Sequence, residues 1–297
     1  MLVLKQVFSI ALLAAAALLL SGCLDTSNFN FQANSSVSVD NGSVSVSVNA
    51  TGVPQLEAFV PSIPSNISVC IYGEPDERFS YNAFGNLSIA DRRVALYTRW
   101  FDANTTSRNA SFDGCAAIIL LDDGQGRFVE RNVREKIVLQ FKKGAGLIVS
   151  GEGGALSAQD ASVYGWRVGG LDEFVPVVIE APGKDAVPLG RTTFSGKFAP
   201  VVQDPALLGV SEFFFDSWSV VHSLPVENSQ VVAFARQGGQ SLPTQPVYPA
   251  IVRTRESPAH NTGYYFAYNA PEAPQIFVNT ARFLSSEYFK YFFLRVA

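Results

Sequence analysis

Residues 115–124 read Cys-Ala-Ala-Ile-Ile-Leu-Leu-Asp-Asp-Gly, an unbroken apolar run that stops at two aspartates and a glycine. A strand that is apolar on both faces must be covered on both faces, which is typical of the central strands of a parallel sheet. We therefore predict that this segment is a central parallel strand covered by helices on each side.

A helix and a second buried strand are predicted directly after this run. Apolar residues recur at helical spacing between about 129 and 143, and Gly144 stands where a helix stop is expected. Residues 147–149, Leu-Ile-Val, form another short apolar run. Strand, helix and strand with short connections specify a right-handed crossover in a parallel sheet, so the core is predicted to be α/β.

Further strands are predicted on both sides of this unit. Residues 67–72 and 93–97 precede it as short apolar runs. Five more candidate strands follow, separated by Pro, Gly and Asn: 175–179, 193–198, 212–221, 231–235 and 264–268. We expect two or three of these to extend the sheet and the others to form β-hairpins at its edge. An amphipathic helix is predicted for 274–284, with Ile276, Phe277, Thr280, Phe283 and Leu284 facing the sheet.

The N-terminus has the pattern of a signal peptide. Lys5 precedes an apolar run over 7–20, and the small residues Ser21 and Gly22 stand before Cys23. That run is shorter than the roughly 20 residues of a spanning helix. The end of the run, Leu-Ser-Gly-Cys, resembles the lipobox of prokaryotic lipoproteins, which implies cleavage before Cys23 and lipid attached to that cysteine. Ordinary cleavage nearby is the alternative.

Three regions follow from this pattern. Residues 1–22 are the predicted lipoprotein signal peptide, residues 23–61 a Ser/Asn/Val-rich tether with one or two weak strands, and residues 62–297 a single globular domain. Seven Asn-x-Ser/Thr sequons make N-glycosylation a hypothesis that depends on the organism; they lie at Asn34, Asn41, Asn49, Asn66, Asn86, Asn104 and Asn109.

Charge and cysteine content limit the partners and the redox chemistry. The net charge of −4, without a run of Lys or Arg, argues against nucleic acid as a partner. The membrane, through a lipid anchor at its extracytoplasmic face, and proteins or glycans of the cell envelope are the expected partners. Beyond Cys23 only Cys70 and Cys115 remain, and either a disulfide or two buried thiols fits this pair.

Residues 141–154, Phe-Lys-Lys-Gly-Ala-Gly-Leu-Ile-Val-Ser-Gly-Glu-Gly-Gly, resemble a passage of class I glutamine amidotransferase-like domains. In that family a helix is followed by Lys-Gly-Gly-Gly-Leu, a hydrophobic strand and Gly. Two further passages agree with its non-catalytic, membrane-associated or secreted members: residues 231–239 followed by 249–253, and residues 263–268 followed by 279–284. The resemblance covers roughly 67–284 and implies a flavodoxin-like parallel sheet flanked by helices, with additional β-hairpins in the C-terminal half.

The sequence departs from the catalytic members of that family at the nucleophile. Their cysteine lies in a Gly-x-Cys-x-Gly turn, whereas residues 150–154 here read Ser-Gly-Glu-Gly-Gly. Cys70 and Cys115 lie in apolar strands, where burial makes a thiol inert. No catalytic residue and no cofactor is assigned. The favoured interpretation is a degenerate domain that binds a ligand or partner in the envelope.

Candidate ligand-binding residues follow the predicted strands, because ligands of open α/β sheets bind beyond the carboxyl ends of the strands. They are Glu74, Asp122, Asp123, Gly151, Glu152 and Gly153. The glycines can offer N–H groups to an anion, or serve a turn that needs glycine dihedrals.

Three of these carboxylates suggest a different class of function. Glu74, Asp122 and Glu152 can converge on Ca²⁺ or Mg²⁺, or act as a general acid and base, which would make the protein a metal-dependent enzyme or a hydrolase. The alternative is that they cap helices and solvate loops.

Ser150 raises the further possibility of a serine hydrolase. The sequence offers only His222 and His260 as histidine bases, and it lacks Gly-x-Ser-x-Gly. A catalytic triad is therefore the weaker interpretation of this serine.

Overall fold

The structure is a computed structural model that describes residues 32–40, 43–51, 64–102, 110–124, 126–156, 164–181, 187–238, 246–255 and 259–294, the first two ranges by their backbone alone. It divides the chain into two compact units, Met1–Val60 and Pro61–Ala297. The predicted signal peptide and Cys23 lie outside the described residues.

The first unit contains one antiparallel hairpin. Its strands are β1 (Gln32–Asp40) and β2 (Ser43–Thr51), paired in an unbroken register from Gln32 opposite Thr51 to Asp40 opposite Ser43. The alternation of Ser and Val along both segments has the two-residue period of a strand. The segment predicted as a tether with weak strands therefore includes a regular hairpin.

The second unit is built on a mixed sheet of ten strands. They are β3 (Asn66–Tyr72), β4 (Asn86–Ile89), β5 (Arg92–Phe101), β6 (Cys115–Leu120), β7 (Gly146–Ser150), β9 (Arg191–Pro200), β10 (Phe213–Val221), β12 (Ser229–Gln237), β13 (Val247–Thr254) and β14 (Gly263–Phe266). A separate two-stranded pair joins β8 (Val177–Val178) to β11 (Leu224–Pro225). The order across the large sheet is β10-β9-β12-β13-β14-β7-β6-β3-β5-β4.

Two α-helices lie in the described part of the chain, α1 (Arg131–Lys142) and α2 (Pro274–Phe289). A π-helical turn, Lys290–Leu294, follows α2, and short 3₁₀ turns occur at Glu77–Phe79, Pro205–Leu207, Ala259–Asn261 and Ala270–Glu272. No helix among the described residues is long and apolar enough to cross a membrane.

The predicted strand–helix–strand unit is confirmed. It consists of β6, α1 and β7, and β6 pairs with β7 in parallel, with Leu120 opposite Val149. Every residue of β6 is buried, and both helices contact this strand. An apolar run without alternation therefore marks a strand that is covered on both faces, as expected.

The predicted flavodoxin-like fold class is wrong. Only β5, β3, β6, β7 and β14 pair in parallel, while β13, β12, β9 and β10 continue the sheet antiparallel and β4 closes the other edge antiparallel. Antiparallel neighbours need no crossover helix, so the described residues of 187–255 add strands to the sheet without adding α-helices to its faces. The second unit is therefore a large mixed sheet of ten strands, and the described residues contain only two α-helices.

The core also contains a disulfide and the buried face of α2. Cys70 and Cys115 are bonded, with their Cα atoms 5.7 Å apart, and both side chains are fully buried, so the bond joins β3 to β6. On α2, Ile276, Phe277, Thr280 and Leu284 are buried as predicted, whereas Phe283 is only partly buried.

Candidate functional site

Two predicted carboxylates meet at the carboxyl edge of the parallel strands. Asp122 follows β6 and Glu152 follows β7, and these strands are direct neighbours. Their side chains are only 4% and 10% exposed. Adjacent parallel strands end side by side, which explains why residues thirty positions apart share one site.

Two arginines hold these carboxylates together. Arg127 Nη2 lies 2.8 Å from Glu152 Oε2 and 3.5 Å from Asp122 Oδ1. Arg191 Nη2 lies 2.7 Å from Asp122 Oδ2 and 3.1 Å from Glu152 Oε2. Each charge therefore has two neighbours of opposite sign, and we call these four residues the ion-pair ring.

The charges of the ring are layered by depth. The arginine side chains are 32% and 34% exposed, so they cover the carboxylates and form the outer face. Burial acts to lower the pKa of Arg191, but attraction to Asp122 and Glu152 outweighs it and raises that pKa on balance. Arg191 is therefore firmly cationic at the surface of the ring.

Two tyrosines lie against the ring. Tyr164 donates its hydroxyl hydrogen to Glu152 Oε1 over 2.6 Å, and burial together with this carboxylate raises the pKa of Tyr164. Tyr265 is fully buried, and its burial and the nearby charge of Asp122 raise its pKa well above the usual range. Tyr265 Oη has no hydrogen bond of ordinary geometry to any residue that the structure describes.

The glycines of this edge serve a turn. Gly151 has a φ of +53°, and a Cβ there would overlap the Asp122 carboxylate; a Cβ on Gly153 would overlap the carbonyl oxygen of Leu120. The N–H groups of both glycines donate to backbone carbonyls, those of Phe266 and Ser150. Gly151 and Gly153 thus let the chain approach β6 closely, and these N–H groups are not directed at an anion.

Asp123 and Glu74 lie in an adjoining part of the edge. Asp123 accepts hydrogen bonds from the N–H groups of Glu74 and, over 2.5 Å, Gly126, and so connects the loops after β3 and β6. Glu74 is exposed and lines a cavity of about 490 Å³ together with Asp123 and Asn269.

The proposed metal ligands are therefore divided between two places. Asp122 and Glu152 lie together and face arginines, whereas Glu74 lies on the exposed loop beside Asp123. Within the described ranges, no group of three or more His, Cys, Asp or Glu residues is placed to hold a metal ion.

Ser150 has a structural role in the described geometry. Its Oγ donates to the carbonyl oxygen of Tyr268 over 2.9 Å and accepts from the N–H of Ala270 over 2.8 Å. His222 instead bonds Thr192 Oγ1 and the Leu189 carbonyl, and His260 stacks on Tyr291. The contacts of Ser150 thus join β7 to the turn after β14, without a histidine.

Sequence reasoning missed the cationic half of the site. Arg127 lies five residues after Asp122 in the same loop, so the sequence does indicate it as a charge partner of Asp122. Arg191 begins β9, and Tyr164 and Tyr265 are also distant from Asp122 in sequence. Nothing local to these residues signals that they approach Asp122.

The sequons are distributed over both units. Asn66 and Asn86 are exposed at the starts of β3 and β4, and both stand in register with Ala95 of β5. Asn34 and Asn49 pair with each other in the hairpin of β1 and β2. The remaining three, Asn41, Asn104 and Asn109, lie outside the described residues. Glycosylation stays a prediction.

Comparisons with known proteins assign no family. No protein-family model and no curated protein matches the chain. A cytoplasmic protein from Salmonella typhimurium is similar with a TM-score of 0.44 at 13% identity, over 85% of this chain and 95% of that one. A second such protein, from strain LT2, gives 0.41 at 15% identity, over 86% and 93%.

A β-galactosidase from Bacillus circulans sp. alkalophilus gives a TM-score of 0.42 at 11% identity, over 69% of this chain and 29% of the enzyme. The chain thus matches less than a third of that enzyme's length. TM-scores this low support no argument about fold or function. The resemblance to glutamine amidotransferase-like domains stays a prediction.

Proposed function

We propose that this chain is a lipid-anchored lipoprotein of the extracytoplasmic face of the membrane, and that its second unit is a binding module for a component of the cell envelope. The observation that carries the binding function is the ion-pair ring at the carboxyl edge of the parallel strands. Ligands of such sheets bind at this edge, and here it presents guanidinium groups over buried carboxylates.

The pairing of the ring supports binding over catalysis. A general acid or base must exchange a proton with its substrate, and a carboxylate nucleophile must reach it. Asp122 and Glu152 are both covered by the arginines that pair with them, and Glu152 also accepts a hydrogen bond from Tyr164. Carboxylates that are covered and paired in this way are shielded from a substrate, and preorganised charges of this kind suit recognition of a ligand.

The anchor rests on the N-terminal sequence. Cys23 follows an apolar run and two small residues, the arrangement at which lipoproteins are cleaved and acylated. A protein held in this way would encounter the glycans and proteins of the envelope, which are the proposed partners.

A thermal-shift screen of the full chain in detergent tests the binding function. The panel consists of purified envelope glycans, their fragments and soluble envelope proteins, and each shift is measured against the variant's own melting temperature. At 100 times its dissociation constant a ligand adds about 2.7 kcal/mol to the stability of the folded state. We expect at least one component to raise the melting temperature, and Glu152→Gln to abolish that rise.

Glu180→Gln is the matched control. Glu180 is also a buried carboxylate paired with an arginine, Arg167, over 2.6 Å, but it lies outside the ring. This variant should keep the full response.

Chemical conversion of a panel component by the wild type, lost in Glu152→Gln, would instead establish the alternative of an acid–base enzyme. The absence of any shift across the panel would refute the binding module.

A further inference from the structure

The outer face of the ion-pair ring retains hydrogen-bond donors. One nitrogen of each guanidinium, Nη2, serves both carboxylates. Arg127 Nε is buried and therefore contributes no donor to this face. Within the described ranges, Arg191 Nη1 makes one long contact, of 3.4 Å, with Ser219 Oγ. An arginine carries five N–H groups, so both side chains keep donors beyond those used in the ring.

The carboxylates fix the arginines before any ligand arrives. A free arginine side chain loses rotamer entropy when it is ordered, and this loss weakens binding. Here two buried carboxylates hold each guanidinium from below, so that cost is met on folding. The cations are closer to an incoming ligand than the anions are, because the side chains of Asp122 and Glu152 are almost fully covered.

We propose that Arg127 and Arg191 bind an oxyanion, a carboxylate or phosphate group, of the envelope component that the proposed function requires. This inference rests on that function and names the chemistry of its ligand. Guanidinium groups match the planar geometry of carboxylate and phosphate, and hydrogen bonds to an ionised acceptor are about twice as strong as neutral ones.

A cationic ligand fits this edge poorly. Its natural partners, the oxygens of Asp122 and Glu152, lie beneath the two arginines and accept hydrogen bonds from them. A neutral sugar could accept the same N–H groups, but each hydrogen bond would lack the ionised acceptor. The depth of the charges therefore disfavours a cation, and the ionised acceptor favours an oxyanion over a neutral sugar.

Calorimetric titration of the full chain in detergent tests the proposal. The probes are inorganic phosphate, succinate, glucuronate and, as the neutral analogue of glucuronate, glucose. We expect saturable binding of phosphate or of the two carboxylates, weakened by added salt, and none of glucose. A preference for phosphate would identify a phosphorylated component as the source of the group, and a preference for the carboxylates would identify an acidic glycan or protein.

Arg191→Lys preserves the charge and its attraction to the carboxylates but removes the planar set of donors. We expect it to weaken oxyanion binding about tenfold or more. The control Arg167→Lys, at an arginine that is 54% exposed and bonded to Glu180, should leave binding unchanged. If Arg191→Lys does not fold, the double variant Asp122→Asn/Arg191→Gln removes one ion pair without leaving a net charge and should also lose binding.

The results separate this inference from the proposed function. Absence of saturable binding by all three anions, or anion binding that is unaffected by the Arg191 variants, would overturn the oxyanion assignment. If an uncharged envelope glycan nevertheless binds and Glu152→Gln abolishes its binding, the module is retained and only the ligand chemistry is wrong. If neither the anions nor any envelope component binds, both proposals fail.

Discussion

Asp122 lies so close to the backbone of Gly151 that a side chain on that glycine would overlap its carboxylate. The same glycine has a φ of +53°, in the left-handed region that residues with a Cβ rarely adopt. Backbone conformation and site geometry therefore both depend on this position. An alanine there has to displace the carboxylate that both arginines contact.

Gly151→Ala is expected to destabilise the fold more than its dihedral angle alone requires. The left-handed conformation should cost about 1 kcal/mol, and overpacking against Asp122 should add about 1 to 3 kcal/mol. Gly170→Ala is the control, because Gly170 has a φ of +75° with open space around its missing Cβ. Urea denaturation measures both; equal losses would show that Asp122 moves aside freely.

Asp122→Asn tests the ring as a source of stability. Removing one member of a buried ion pair costs about 3 to 5 kcal/mol, but the arginines are about one-third exposed and partly screened, so we expect about 2 kcal/mol. Asp113→Asn is the comparison, since Asp113 pairs with Lys143 on an open surface and should change little. A ring variant as stable as the wild type would indicate that solvent satisfies the arginines.

The sequence predicted the acidic residues of the site because each follows a recognisable strand. Asp122 and Glu152 stand just beyond the apolar runs that became β6 and β7. Arg191 reaches them from the start of β9, which belongs to the antiparallel part of the sheet. Its position depends on the topology of the whole sheet, and one sequence without a template does not specify that topology.

At the scale of elements, the disulfide is the covalent link between two neighbouring parallel strands. Cys70 of β3 and Cys115 of β6 are 45 positions apart, and both are buried. Closing a loop of that length in the unfolded chain removes entropy worth about 4 kcal/mol in the chain-entropy model. The bond therefore stabilises the sheet at the point where its β3–β6 pairing joins distant segments.

Cys70→Ala/Cys115→Ala is expected to lower the free energy of unfolding by about 3 to 4 kcal/mol. The oxidised wild type should show a higher melting temperature than the double variant. Wild-type protein that is fully reduced under denaturing conditions and refolded with free thiols should melt at the same temperature as the double variant. A non-reducing digest of the wild type checks that the bond is present, because the peptides that contain Cys70 and Cys115 then appear as one joined mass. Identical melting temperatures for the oxidised protein and the double variant would contradict a stabilising role.

The elements that the sequence predicted best are those with the simplest pattern. β6 and β7 are apolar without alternation, and α1 has a helical period with a glycine after its end. By contrast, β4 has only four residues and was not predicted, although its exposed and buried residues alternate. β9 and β10 were found as strands, but whether such strands extend a sheet or form a separate hairpin depends on contacts far along the chain.

At the scale of the whole molecule, one carboxyl group links stability to pH. Glu272 is exposed, but its surroundings desolvate the carboxyl in part, and this desolvation, followed by the charge of Asp122, raises its pKa to about 7 from its ordinary value of 4.5. The folded state therefore binds a proton more tightly than the unfolded state between these two values. Stability is accordingly greatest at the acidic end of this window and falls as the pH rises through it.

Glu272→Gln should reduce this loss of stability between pH 4.5 and 7, by a small amount because solvent screens an exposed carboxyl, as measured by urea denaturation at several pH values. Hydrogen bonds from Arg78 and Lys143 lower the pKa of Asp76 and of Asp113, and these groups act in the opposite direction, below about pH 4. The two effects are therefore separated by pH. An unchanged slope in Glu272→Gln would assign the pH dependence to another group.

The proposed lipid anchor concerns the whole chain, and Cys23 is the residue on which it would depend. Each buried CH₂ of an acyl chain contributes about 0.8 kcal/mol, so one chain binds a membrane marginally and two bind it stably. We expect the mature protein to begin at Cys23, to carry acyl chains, and to remain with the membrane in alkaline carbonate. Mass spectrometry of the N-terminal peptide and membrane fractionation measure these properties.

Cys23→Ser removes the thiol to which lipid attaches, and it should yield no acylated peptide. Ser21→Ala keeps a small residue before the cysteine and should behave as the wild type. To separate the lipid from an uncleaved signal peptide, the Cys23→Ser variant is also exported behind an ordinary secretory signal, and this form should be soluble. An unmodified N-terminus at another residue would show ordinary cleavage, and the mature protein would then reach its partners without being held at the membrane by lipid.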